Sequence, residues 1–355
     1  MSDKSFIRRV GIVLALCALA FLAWQLRSVL LLVFGSVLVA VMFRALAAPI
    51  CRWTGMGEKP AVGLAVLLVV GLLVLAGWLF GAEVRAQVLT LVETVPQAWQ
   101  SFELRIGDSD LGEELRTMGA DAAPSGGSLL SGFAAALMSF GTGLADAFVV
   151  VVGGIYLALQ PRLYREGLLK LFPAERRDLI DNAVGGAGRA LRLWLGGQLV
   201  SMTVIGLLTG FGLYLIGVPS AVALGLLAGF LEFIPLIGPV IAAVPALLIA
   251  LAIDPQLALW TLLLYLVIQQ IEGNLLQPVV QQFAVDLPAV ILLFSILAFG
   301  TLFGIVGILL AAPLAVLVYT LITRLYVREA LDTPVSMPGE DEDQPDAEQD
   351  GSASR

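Results

Sequence analysis

Histidine is absent from all 355 residues of the chain. That removes His-ligated zinc, Ser-His-Asp and Cys-His catalysis, histidine-bound haem and any histidine pH switch. Cysteine occurs twice, at Cys17 and Cys51, too few for a disulfide framework. Charge is scarce: 14% of residues are charged, against ~25% in an ordinary soluble domain. From Leu193 to Thr323 there is no lysine or arginine at all. No glycine-rich loop leads into a Lys-Ser/Thr pair, so ATP-driven transport by this chain alone is not expected. No basic soluble domain exists, so nucleic acid is not an expected partner.

What is present is apolar. Hydrophobic types make up 59% of the chain and the mean hydropathy is +0.95. A soluble globule of this length could not bury that much apolar surface, so the composition calls for several membrane spans. The expected class is an all-α, polytopic membrane protein.

The apolar run Val10 to Trp24 is followed at once by Gln25-Leu26-Arg27 and a second run, Val29 to Phe43. With no small-residue cleavage site between them, the pair reads as a helical hairpin with a very short turn, not as a leader. A third run extends from about Ala61 to Ala82, so residues 1–82 read as three spans. Residues 83–128 hold eight acids against three arginines. Val84, Val88, Leu91, Val95, Trp99, Phe102 and Ile106 recur there at helical spacing, ahead of a Gly, Ser and Asp-rich loop. This stretch is placed outside. Residues 129–160 then read as a fourth span.

Residues 161–192 carry Arg162, Arg165, Lys170, Arg176, Arg177, Arg189 and Arg192 and are placed inside. They read as an amphipathic helix broken at Pro173 and at Gly185-Gly186. The N-terminal Lys4, Arg8 and Arg9, and the loop with Arg44, Arg52 and Lys59, are also assigned to the cytoplasm. The acidic residues 326–355 read as a disordered cytoplasmic tail.

The core of interest is 193–325. Its only ionisable acids are Glu232, Asp254, Glu272 and Asp286. A carboxylate at membrane depth costs ~2.5–3.5 kcal/mol, so it faces a cavity or a partner. Asp254 precedes Pro255, and Asp286 lies two residues before Pro288; both read as helix boundaries. They do not make the facing aspartate pair of an intramembrane protease, and no enzyme activity is expected. Glu232 stands just before Pro235, Gly238 and Pro239. Helix breaks at membrane depth are tolerated where the backbone is buried in protein or lines a cavity, and transporters build ion and solute sites there. Glu272 lies in Gln269-Gln270-Ile271-Glu272-Gly273-Asn274 and shares a helical face with Gln269. Glu232, Gln269, Gln270, Glu272 and Asn274 are therefore the expected solute or ion pathway. Pro235, Gly238, Pro239, Pro278, Gly304, Gly307 and Pro313 are the expected breaks and hinges.

A shift of 69 residues brings Pro219, Phe230 and Gly238 onto Pro288, Phe299 and Gly307 without a gap. Both copies read as apolar helix, Gly/Pro break, apolar helix. Paired interrupted segments of this kind point to a transport site.

The stretches Trp194 to Gln198, Gly217-Val218-Pro219, Glu232 to Pro239, Gln270 to Pro278 and Leu302 to Gly307, on to Pro313, resemble the autoinducer-2 exporter family of bacterial permeases. The resemblance implies about eight transmembrane helices with broken or re-entrant hairpins in the C-terminal half. It also implies a pentamer-like homo-oligomer in the inner membrane. The implied activity is export of a small polar molecule such as autoinducer-2 by alternating access, with no cofactor but with coupling to H+ or Na+. The alternatives are a Na+/H+ antiporter and a non-transporting scaffold; membrane lipids are the other expected partner. One departure is Leu287, where many relatives have histidine.

Overall fold

A computed structural model describes residues 24–71, 144–278 and 288–328, with scattered helical positions at 11–22 and 74–78. The expected outer segment 83–128, the start of the fourth span and the acidic tail lie outside the described residues. So do Asp286 and Leu287. The described residues are helical, with no strand among them.

Four helical segments are long and apolar enough to cross a bilayer: Arg27–Thr54, Ala174–Leu215, Pro255–Leu276 and Val290–Arg328. Ala145–Leu159 and Pro161–Leu169 reach that length only together, and the chain turns by 89° between them. This last helix places Leu163, Tyr164 and Leu168 on one side and Arg162, Arg165 and Glu166 on the other. That is how an amphipathic helix lies at a membrane surface.

The chain divides into two compact units. One comprises the described residues of 1–65, 145–191 and 287–326. Here Arg27–Thr54 and Ala145–Leu159 pack closely, and Gly153 and Gly154 meet Ser36 and Val39 with no room for a Cβ. Arg44 donates to the carbonyl of Ala158 at 3.2 Å and pairs with Glu58 at 3.4 Å, close to the 89° corner.

Two expectations are corrected in this unit. The chain does not reverse at Gln25-Leu26-Arg27. Leu26 (φ −91°, ψ 9°) is the single residue that leaves the helical region there. Leu26 N–H still reaches Leu22 O, and Leu30 N–H reaches Leu26 O. One residue bends a helix, whereas a helical hairpin takes a loop of about 2–5 residues. Nor does the helix break at Gly185-Gly186; Arg177–Leu215 runs straight through. The guanidinium of Arg324 lies directly against Gly186, where a Cβ would overlap it. The glycine serves close approach there, not interruption.

The segment Ala289–Ile322 folds back on itself at Gly304 (φ 65°, ψ −145°), a conformation open to glycine. Gly300 faces Ile308, and a Cβ at Gly307 would overlap the carbonyl of Phe299. Residues eight apart in a straight helix are separated by ~12 Å, so these contacts define a hairpin.

The second unit comprises the described residues of 66–144, 192–286 and 327–355. Its hairpin has limbs Ala221–Leu231 and Ile237–Ile253. Gly206 and Gly210 of the preceding helix lie directly on Gly225 and Gly229 of the first limb, with backbone near backbone. The second limb runs beside Pro255–Ile271, to which Tyr265 ties it through an O–H donated to Ala242 O at 3.2 Å.

Candidate functional site

The tip of this hairpin is built from Glu232 to Leu236. Leu236 has φ 71° and ψ −43°, and Ile237 N–H bonds Pro235 O at 2.9 Å. These are the marks of a γ-turn, a rare and strained conformation for a residue with a side chain. Gly238 N–H bonds Ile234 O at 2.8 Å, and a Cβ at Gly238 would overlap the carbonyl of Leu231. Pro239 lies in the first turn of the second limb, where a missing N–H costs nothing.

The tip is held from the side by the helix that carries Trp194 and Gln198. Gln198 donates its Nε2 to the backbone carbonyl of Glu232 at 2.6 Å. Trp194 meets Phe233 edge-on with ring centroids 5.9 Å apart. Glu232 is buried to 2% exposure.

Beside it stands Glu272, exposed by only 4%. The two carboxyl groups lie within side-chain hydrogen-bonding reach of each other. Two carboxyl groups can bond only if one of them carries a proton. No donor among the described residues reaches Glu232 Oε2.

Glu272 opens a π-helical turn, Glu272–Leu276, whose closing bond runs from Gln277 N–H to Glu272 O. Such turns recur at functional sites. This one brings the Gln277 side chain within reach of the Glu272 carboxyl group. Gln269, one turn earlier, donates Nε2 to Glu272 Oε2 at 3.1 Å. Gln270 and Asn274 are exposed and bond each other, Asn274 Nδ2 reaching Gln270 O at 3.0 Å and Oε1 at 2.9 Å. The site is a buried carboxyl pair with an amide-rich outer edge.

Its depth follows from the limbs. Ile237–Ile253 and Pro255–Ile271 each have 17 residues. At 1.5 Å per residue they carry the pair ~25 Å from the Asp254-Pro255 corner, against a hydrocarbon core of ~30 Å. The pair sits near the membrane face opposite that corner.

Of the residues singled out in sequence, Glu232, Gln269 and Glu272 come together, while Gln270 and Asn274 form the exposed edge. Gly304 interrupts a helix; Gly307 is a point of close approach. Pro313 lies buried inside Ala289–Ile322, and the helix continues through it, so it is not a break. Pro278 ends the described helical stretch. Gln198, Trp194 and Gln277 are additions. Their polar or aromatic character in an uncharged stretch was the available signal, but the targets of Gln198 and Trp194 are non-local, and that of Gln277 is reached only through a π-turn. Among the described residues no group of three His, Cys, Asp or Glu side chains could hold a metal.

The AI-2E family transporter profile matches residues 12–326. A Mycobacterium tuberculosis protein, provisionally named for transport, is 34% identical over 84% of each chain. The AI-2 transport protein TqsA of Escherichia coli is 28% identical, over 86% of this chain and 88% of its own. A Bacillus subtilis protein with a similar provisional name, YrrI, is 37% identical, but the match covers only 34% of either chain.

Proposed function

The chain belongs to the AI-2E transporter family, a multi-pass membrane family, and on that premise we propose that it is a proton-coupled exporter of a small polar molecule. The observation that carries this reading is the Glu232–Glu272 pair: two buried carboxyl groups in mutual reach, with no ion pair to a cation among the described residues. A pair that holds one proton takes up or releases it when the access side changes. The amides of Gln269, Gln270, Asn274 and Gln277 offer donors and acceptors to a polyhydroxylated or carbonyl solute. Alternating access would move the hairpin tip, whose γ-turn at Leu236 stores the strain of one of two states. The name of TqsA makes autoinducer-2 the first solute to test.

The remaining features of the reading are the bacterial inner membrane, a cytoplasmic C-terminus and a homo-oligomeric assembly; the cytoplasmic N-terminus expected from Lys4, Arg8 and Arg9 required the hairpin at Gln25-Leu26-Arg27 and is not carried into it. The loop arginines and lysines support the orientation.

A second reading, Na+/H+ antiport, is favoured by the donor-free Oε2 of Glu232, which a cation could engage. One experiment separates the readings. Purified protein in proteoliposomes is given labelled autoinducer-2 with and without an imposed proton gradient, beside Glu272→Gln. Gradient-driven uptake lost in the variant supports export through this site. No uptake, but a sodium-dependent signal from a trapped pH dye, moves the assignment to antiport. Silence in both assays leaves a scaffold.

A further inference from the structure

A second site lies in the other unit and uses none of the residues named above as a pathway. A cavity of about 450 Å3 opens between the start of Arg27–Thr54 and the hairpin broken at Gly304. Trp24, Arg27 and Phe34 line one side; Phe299, Phe303 and Leu314 line the other. Its wall is apolar but for the guanidinium of Arg27 and the indole N–H of Trp24.

Arg27 is the anomaly. The helical hydrogen bonds on both sides of Leu26 place it on a bent helix wall, not in an aqueous hairpin turn. Its guanidinium carbon lies 4.5 Å from the ring centroid of Trp24. The two ion pairs among the described residues are Arg44–Glu58 and Arg165–Asp181, so no described carboxylate neutralises it.

Its level in the membrane is set by Arg44 on the same helix. Arg44 marks one membrane face, since it bonds the carbonyl of Ala158 where the chain turns by 89° into the amphipathic helix. Arg27 is seventeen residues earlier, ~25 Å along the axis at 1.5 Å per residue. With a hydrocarbon core of ~30 Å, that is the headgroup level of the opposite leaflet.

We propose that this groove binds an anionic membrane phospholipid, its phosphate on Arg27 and one acyl chain between Phe34 and the Phe299–Phe303 pair. The charge argues for the occupant. A guanidinium with no counter-ion among the described residues, at headgroup level, matches a phosphate in its fork of donors, and the adjoining wall is almost all carbon. Phe299 and Phe303 stack with centroids 6.2 Å apart in the turn just before Gly304. The bound chain therefore touches the hinge of this hairpin.

The test uses the full chain in proteoliposomes doped with phosphatidylglycerol or phosphatidylcholine brominated on the acyl chains. Bromine quenches nearby tryptophan, and the share due to Trp24 is the difference between wild type and Trp24→Phe. The expected result is that brominated phosphatidylglycerol quenches that share at a several-fold lower mole fraction than the choline lipid. Arg27→Gln abolishes the preference and Arg27→Lys retains it. Should Arg27→Gln not reconstitute, Leu302→Gln makes the far wall polar and is expected to weaken quenching by both lipids. Equal quenching by the two lipids in wild type, an intact preference in Arg27→Gln, or unchanged quenching in Leu302→Gln overturns the proposal. So does displacement by glycerol phosphate, which would mark a bare anion site, or by a free fatty acid that is then transported, which would mark a solute path.

Discussion

Gln198 donates its side-chain amide to the backbone carbonyl of Glu232, 2.6 Å away and thirty-four residues on. The bond satisfies a carbonyl released where the helix ends, and it does so from a side chain that is itself buried. It fixes the acid by its backbone and leaves the carboxyl group free to face Glu272.

Removing the donor strands that carbonyl. Gln198→Leu keeps the bulk and should cost ~1–3 kcal/mol, the usual penalty for a buried group left without a partner. Thermal unfolding in detergent should fall by several degrees, with Gln198→Asn intermediate. A variant as stable as wild type would show that the carbonyl finds water instead.

The carboxyl pair makes a prediction about coupling as distinct from transport. In the double variant Glu232→Gln and Glu272→Gln the side chains still bond each other, but no titratable proton remains. Solute exchange across proteoliposomes at equal pH should persist. Accumulation driven by a pH gradient should be lost, at least about tenfold by initial rate, equivalent to ~1.4 kcal/mol. Unimpaired accumulation would put the coupling proton elsewhere.

Two glycines should be equally intolerant although they lie in different hairpins. Gly238→Ala and Gly307→Ala each drive a Cβ into a backbone carbonyl, that of Leu231 or of Phe299. Backbone cannot step aside as a side chain does, so each should cost at least ~1–3 kcal/mol. Gly273→Ala, with nothing within 4 Å of the added carbon, is the control and should fold normally. The readout is the yield of monodisperse protein on size-exclusion chromatography.

Leu236 holds a positive φ of 71° while 41% exposed. Leu236→Gly relieves strain of ~1–3 kcal/mol at an entropic cost of ~0.5–1 kcal/mol. Its unfolding temperature should match or exceed wild type. Leu226→Gly, at a helical position of similar exposure, should be clearly destabilised. Should both variants lose stability alike, the γ-turn is not strained.

The membrane class was legible from composition alone, because no soluble surface could hold a chain that is 59% hydrophobic. The 69-residue repeat was legible too, and its Gly238–Gly307 match now has a physical basis: each glycine lies against a backbone carbonyl of the preceding limb, seven residues back in one copy and eight in the other. The expected hairpin at Gln25-Leu26-Arg27 was misread. Polar residues between apolar runs mark a turn only if they face water, and Arg27 instead stacks on Trp24 beside an apolar groove. Pro313 misled for a related reason. Proline removes one rung of a helix, and whether the helix then breaks depends on the packing around it.

By itself the sequence determined what must be buried in lipid, where charge is forbidden, and which few acids stand out for want of a basic neighbour. Local chemistry suffices for that, since hydropathy and helix breaking are properties of short stretches. Only the tertiary structure decided that Glu232 meets Glu272, that Gln198 and Gln277 serve them, and that Arg27 borders a groove. Except for Gln277, which stands one π-turn from Glu272, those partners lie on different helices, tens or hundreds of residues apart. Apolar surface sets no particular register between helices. The register comes from glycines that let backbones touch, such as Gly206 on Gly225, and from a π-turn that rotates Gln277 onto Glu272.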